Sequence, residues 1–200
     1  MLPLAFTINK KAKVFFDARE YYPEQNVESW IFRLIDSPLR DCLCRVYLPK
    51  CDQIITVSPG FSEAYLDNYG VDVEVIRSTP NYMDLKTQPT VKKRIRMVHH
   101  GVANINRGIG NMIEIVKRLD ERFSLDLYLV GDPLLIKKLK DQASQCERIK
   151  FRKPVELEGI IEMLNSYDLG FYYLEPMGFN VTYNLPNKLF EFIQARIPIA

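Results

Sequence analysis

After residue 94 the chain settles into a regular alternation of short apolar runs and amphipathic stretches, and that pattern narrows its folds more than any other feature. Residues 95–100, 125–130, 148–151 and 169–174 read as buried strands. Between and after them come helical stripes. Ile109, Met112, Ile113, Val116 and Leu119 form one, Leu135 and Leu139 mark a second, Leu157, Ile160, Ile161 and Leu164 a third, and Leu189, Phe192 and Ile193 a fourth. Four strand–helix units in succession predict a parallel sheet with right-handed crossovers. Sheets of that kind bind ligands beyond the carboxyl ends of their strands.

The first half is less regular. Residues 2–11 open with a short apolar stretch of helical character, and Val14-Phe15-Phe16 reads as a strand. It runs directly into the charged cluster Asp17-Ala18-Arg19-Glu20-Tyr21-Tyr22-Pro23-Glu24, which is either a ligand site or an ordinary strand exit. Val27, Trp30, Ile31, Leu34 and Ile35 keep helical spacing until Pro38, which is expected to interrupt the helix. Trp30 and its neighbours either pack against the sheet, the more ordinary reading, or touch a membrane surface. A strand at 53–57, a helix starting at Ser58-Pro59 and ending at Gly70, and a strand carrying Val71, Val73 and Val75 follow. The pattern is lost around the polar residues 84–90. A domain boundary is placed there, with residues 1–86 as one lobe and 87–200 as the other.

Composition excludes several classes. An apolar fraction of 47% belongs to a globular chain, and a net charge of +2 is too small to imply nucleic acid as a partner. The basic runs Lys92-Lys93-Arg94 and Lys137-Lys138 read as solvated faces. No secretory signal is visible, and no apolar run approaches the roughly 18 residues of a membrane span. Cys42, Cys44, Cys51 and Cys146 form no Cys-x-x-Cys pair, and the two histidines are adjacent at 99 and 100. A structural zinc site is therefore not expected, and free thiols in a reducing cytoplasm fit better.

The chemistry-bearing residues fall at strand ends. Gly101 allows close backbone approach to a phosphate, and Arg107 at the next helix start can pair with one bidentately. Gly131 ends the following strand, and Phe151-Arg152-Lys153-Pro154 offers backbone groups and a planar side chain to a nucleobase. In Leu185-Pro186-Asn187-Lys188-Leu189-Phe190-Glu191, Pro186 and Asn187 read as a helix start with Asn as a capping residue. Lys188 and Glu191 then lie on one helix edge, either as an intrahelical ion pair or as a phosphate ligand and a sugar-hydroxyl acceptor. A Gly-x-Gly-x-x-Gly fingerprint, a Walker loop and a Gly-x-Ser-x-Gly elbow are missing.

In this order the motifs resemble retaining glycosyltransferases of family 4. They are residues 14–24, Cys51 through Ser58, Pro80-Asn81-Tyr82-Met83-Asp84, His100-Gly101 with Asn106-Arg107-Gly108, Leu129-Val130-Gly131, and Leu185 through Ile199. The resemblance implies the GT-B fold: two Rossmann-like α/β domains with parallel sheets, both incomplete at this length. It implies sugar transfer from a UDP- or GDP-linked donor to a glycan or lipid-linked acceptor, with retention of configuration, in surface polysaccharide biosynthesis. Neither a cofactor nor a metal is implied. Gly101, Arg107, Asn187 and Lys188 would contact the donor diphosphate, and Glu191 the ribose. Gly131, Phe151, Arg152 and Pro154 would line the base, and Arg19 and Glu20 stand at the catalytic positions. The expected location is cytoplasmic, with peripheral contact at the inner membrane face through the N-terminal lobe. Three positions depart from the family. Tyr183 stands where a first glutamate is usual, Arg19 where a histidine is common, and Tyr82 where a glycine is usual. A non-catalytic nucleotide-sugar-binding module and a GT-B sugar-nucleotide epimerase are the alternatives.

Overall fold

The computed structural model describes residues 2–8, 11–91, 93–104 and 107–200. Ile105 and Asn106 of the loop motif, and Lys92 of the basic run, lie outside the described residues. The chain forms two compact units, one made of Met1–Ser78 with Pro176–Leu185, the other of Thr79–Glu175 with Pro186–Ala200.

In the first unit, β1 (Phe15–Ala18), β2 (Gln53–Thr56) and β3 (Glu74–Val75) pair in parallel in the order β1-β2-β3. Helices α1 (Leu2–Ile8), α2 (Ser37–Tyr47) and α3 (Pro59–Tyr69) accompany them. Ala18, Ile54, Phe61, Tyr65, Val71 and Val73 make the core, and Val71 and Val73 enter it without joining the short third strand. The Ser58 hydroxyl accepts from the Phe61 N–H to start α3, and Gly70 ends it in the left-handed region at φ 65°.

Pro38 does not break its helix. A π-turn over Phe32–Asp36 leads straight into α2, and the Ser37 N–H donates to the Phe32 carbonyl. The wider turn leaves Pro38 in the first turn of α2, where a missing N–H forfeits no bond of that helix. The same turn directs Phe32 inward at 4% exposure and leaves Trp30 at 64%, Leu34 at 69% and Ile35 at 63%. Packing of Trp30 and its neighbours on the sheet is therefore corrected: Phe32 takes the core position.

The boundary at residue 86 also moves. Asn165 donates to the carbonyls of Lys86 and Ala195, and Gln194 donates to the carbonyl of Met83, so the polar link is bound into the second unit. Residues 176–185 carry the short helix α7 (Phe179–Tyr183), which belongs to the first unit. There Asn180 makes a two-way bridge to the Tyr21 backbone, accepting from its N–H at 2.7 Å and donating to its carbonyl at 2.9 Å. Tyr183 packs so closely on Gly60 of α3 that a Cβ at Gly60 would overlap its ring.

The second unit has four parallel strands: β4 (Ile95–Ala103), β5 (Phe123–Gly131), β6 (Ile149–Arg152) and β7 (Leu169–Gly170). Their order is β6-β5-β4-β7. The predicted strand at 169–174 is shorter as a ladder, but its hydrogen bonds continue, from Phe171 N–H to Val98 and from Tyr172 N–H to Ala200. Gly170 also pairs in parallel with Ile199. α4 (Ile109–Arg118) and α5 (Pro133–Ala143) cover one core, with Met97, Leu125, Leu127 and Ile149 beneath them. A second core holds Val98, α6 (Ile160–Asn165) through Ile161 and Leu164, and α8 (Asn187–Gln194) through Phe192. Neighbouring residues 97 and 98 feed opposite cores because strand side chains alternate in direction. Each fully buried side chain of this kind stabilises by about 1.5–3 kcal/mol.

Candidate functional site

The strand order turns back between β4 and β7, since β5 and β6 lie on one side of β4 and β7 on the other. In an open parallel sheet that reversal leaves a crevice at the carboxyl ends of the two strands. Gly101 follows the buried run of residues 97–100 in β4, and the chain after β7 reaches α8 by way of α7.

α8 approaches β7 closely because Gly170 has no side chain: a Cβ there would lie 2.6 Å from the Phe192 ring. The helix turns an unexpected face inward. Lys188, Phe192 and Ala195 are buried, while Ile193 is 53% exposed, which corrects the apolar stripe read from Leu189, Phe192 and Ile193. Pro186, not Asn187, occupies the position before the helix, and no side chain caps it. The backbone N–H groups of the first turn therefore keep their positive end.

Burial of Lys188 brings its ammonium to β4. A Cβ on Gly101 would lie 2.7 Å from Nζ and 3.0 Å from Cε, and Gly101 holds φ 121°, where side chains are strained. Lys188 also lies over the Tyr172 ring, with Nζ 5.7 Å from its centroid. Burial first, and then the nearby Arg107 guanidinium, push the Lys188 ammonium down to about 8, with Glu191 acting in the opposite direction. Among the described residues no ion pair joins Lys188 to Glu191. Glu191 turns instead to β4, with Oε2 3.1 Å from His100 Nε2.

His99 is fully buried beside them. Its Nδ1 lies 2.9 Å from the Phe171 carbonyl, an acceptor, so Nδ1 carries the proton. Burial, with Lys188 next, pulls its pKa down to about 3, and the ring is neutral across the working range. Among the described residues its buried Nε2 has no hydrogen-bond partner. In the sequence these two histidines speak only against a zinc site and, for His100, within a motif. Their alternation along β4, one per face, was the available signal.

Gly131 lies at the exposed end of β5, paired with Ala103. Phe151 is half-buried at the edge of the α4/α5 core, with Lys140 Nζ 5.8 Å from its ring centre. Arg152 Nε donates to Asp126 at 2.9 Å, and the Tyr167 hydroxyl donates to the same oxygen at 2.7 Å. Its guanidinium is thus already engaged, while Pro154 is exposed. In the first unit, Arg19 lies just past β1, exposed and paired with Asp17 at 2.9 Å, and Glu20 is half-buried with its carbonyl accepting from the Tyr65 hydroxyl.

No protein-family model and no curated protein matches the chain. Solved structures do. TarM from S. aureus, in complex with fondaparinux, alpha-GlcNAc-glycerol and UDP, is similar with a TM-score of 0.73 at 12% identity over 98% of this chain and 38% of that one. Anabaena HepE in complex with UDP and glucose gives 0.67 at 16% identity, over 98% of this chain and 54% of that one. Sucrose-phosphate synthase from Thermosynechococcus elongatus gives 0.68 at 14% identity, over 98% and 52%. The fold is therefore the α/β architecture with parallel sheets seen in these GT-B glycosyltransferases, as expected from the motif order. The chain spans about half or less of the length of each.

Proposed function

We propose that this chain is the central portion of a retaining, family 4 glycosyltransferase, and that its second unit binds the nucleotide-sugar donor. The carrying observation is the buried Lys188 ammonium seated on Gly101, with Glu191 one helical turn away and Arg107 close enough to depress its pKa. Two cations beside an uncapped helix start suit a diphosphate, and a carboxylate beside them suits the hydroxyls of a ribose. Gly131, Phe151 and Pro154 border the base. Because Arg152 is held by Asp126, it serves there as part of a fixed wall. The two similar structures solved with UDP support this reading.

In the transfer, the leaving group is a nucleoside diphosphate, and neutralising its developing charge lowers the barrier more than any single proton transfer. Lys188, Arg107 and Asn187 perform that role. In the first unit, Arg19 and Glu20 hold the catalytic positions that the family resemblance implies, and because a guanidinium holds its proton, Glu20 is the member of that pair able to accept one. The acceptor is a glycan or lipid-linked glycan of a surface polysaccharide. A cytoplasmic location with peripheral membrane contact follows from that acceptor, and the exposed Trp30, Ile31, Leu34 and Ile35 support it.

Calorimetry with UDP and GDP tests the donor site. Wild type is expected to bind one of them, and Lys188→Ala to lose about 10- to 100-fold, the range of a charge-assisted hydrogen bond of about 1.5–3 kcal/mol. A well-folded chain that binds neither nucleotide overturns the proposal.

A further inference from the structure

His100 and Glu191 are buried opposite each other without being bonded. Nε2 of His100 lies 3.1 Å from Oε2 of Glu191, yet among the described residues neither atom has a hydrogen-bond partner, so each faces the other as its complement. His100 comes from β4 and Glu191 from α8, the two elements that bracket the reversal of strand order. The imidazole is confined: its side chain is 8% exposed and it meets the Phe192 ring edge-on at 5.8 Å. The carboxylate has more freedom, at 17% exposure. At 3.1 Å only orientation separates Oε2 from a bond with an Nε2–H donor, and a carboxylate so held keeps its other oxygen as an acceptor.

We infer that His100 is a positioning residue: by holding one oxygen of Glu191 it aims the other at the sugar of a nucleotide, and so makes the site select ribose over sugars lacking the 2′ and 3′ hydroxyls. The inference rests on the donor-site reading above. His99, one residue earlier, cannot substitute, because its ring is tied to the Phe171 carbonyl instead.

The test compares UDP with 2′,3′-dideoxy-UDP by calorimetry on wild type, His100→Phe and His100→Gln. Phenylalanine keeps the packing on Phe192 and removes the donor; glutamine restores an N–H at the reach of Nε2. His100→Phe is expected to weaken UDP about tenfold, while dideoxy-UDP changes less than twofold, and His100→Gln recovers most of the loss. Equal losses on both nucleotides, or none on UDP, overturn the inference, because a packing role would not distinguish the hydroxyls. A second measurement needs no ligand. Nitrogen-15 shifts of the His100 ring should report Nε2–H in wild type and lose that preference in Glu191→Met, whose side chain offers no oxygen acceptor. Unchanged ring shifts overturn the pairing. Wild type that binds neither nucleotide while the ring responds to Glu191→Met removes the donor site and the ribose selection, and leaves the pairing.

Discussion

The Lys188 ammonium is set against Gly101 in a site that disfavours its charge, since burial and Arg107 lower its pKa from 10.5 to about 8. Between those values the unfolded chain binds more protons than the folded one, so stability rises with pH through that window and the penalty is fully present below about 8. The penalty is on the order of 3 kcal/mol. Lys188→Met is therefore expected to raise the urea midpoint at pH 7 and to flatten the rise of stability between pH 8 and 10. On the proposed donor-site reading, a bound diphosphate would supply the missing counter-charge. UDP affinity should accordingly be level below about pH 8 and fall about tenfold per pH unit above it, with proton uptake on binding seen in buffers of different ionisation enthalpy. Gly101→Ala places a Cβ 2.7 Å from Nζ at a positive φ, and the expected result is displaced Lys188 and weakened UDP binding in a chain that still folds.

At the scale of elements, α8 and the helical run through Pro38 show how packing overrides a local pattern. In α8 the periodic apolar residues suggested one face, but the absent side chain of Gly170 draws Phe192 against β7, and Lys188, four residues before it, turns inward with it. Gly170→Ala is expected to destabilise by about 1–3 kcal/mol, the range for overpacking a core, and to loosen the Lys188 site, seen as lower urea midpoint and weaker UDP binding together. Upstream, the π-turn at Phe32–Asp36 carries the helix through Pro38, where an interruption was expected, and it leaves an apolar stripe outside. If that stripe meets lipid, Trp30 fluorescence shifts blue on adding anionic vesicles, and Leu34→Glu with Ile35→Glu abolishes co-sedimentation. Unchanged emission at all lipid concentrations rejects the contact.

At the scale of the molecule, the units do not follow the order of the chain. Residues 79–86 are bound to the second unit by Asn165 and Gln194, and residues 176–185 return to the first through Asn180, Phe179 and Tyr183. A polypeptide of residues 1–86 therefore lacks part of its own core. Residues 1–78 joined by a flexible linker to 176–185 should be more stable than residues 1–86 by about 2–4 kcal/mol in urea unfolding, the sum of partial Phe179 burial and two hydrogen bonds. Equal stability would show that the returning segment contributes nothing. Tyr183 belongs to the same picture: where the motif resemblance led to the expectation of a carboxylate, this chain has a ring packed on Gly60.

The alternation after residue 94 determined by itself that the second half is a parallel α/β sheet, because strand and helix periods are written in neighbouring residues. The strand ends, and with them Gly101, Arg107, Lys188 and Glu191, were legible for the same reason. Only the tertiary structure decided that Lys188 is buried, that Glu191 faces His100 rather than Lys188, and that Arg152 is held by Asp126. Each depends on side chains brought together from 26 to 91 positions apart, as from Asp126 to Arg152 and from His100 to Glu191. The Asn180–Tyr21 bridge spans 159 positions, and no local pattern carries a contact of that range.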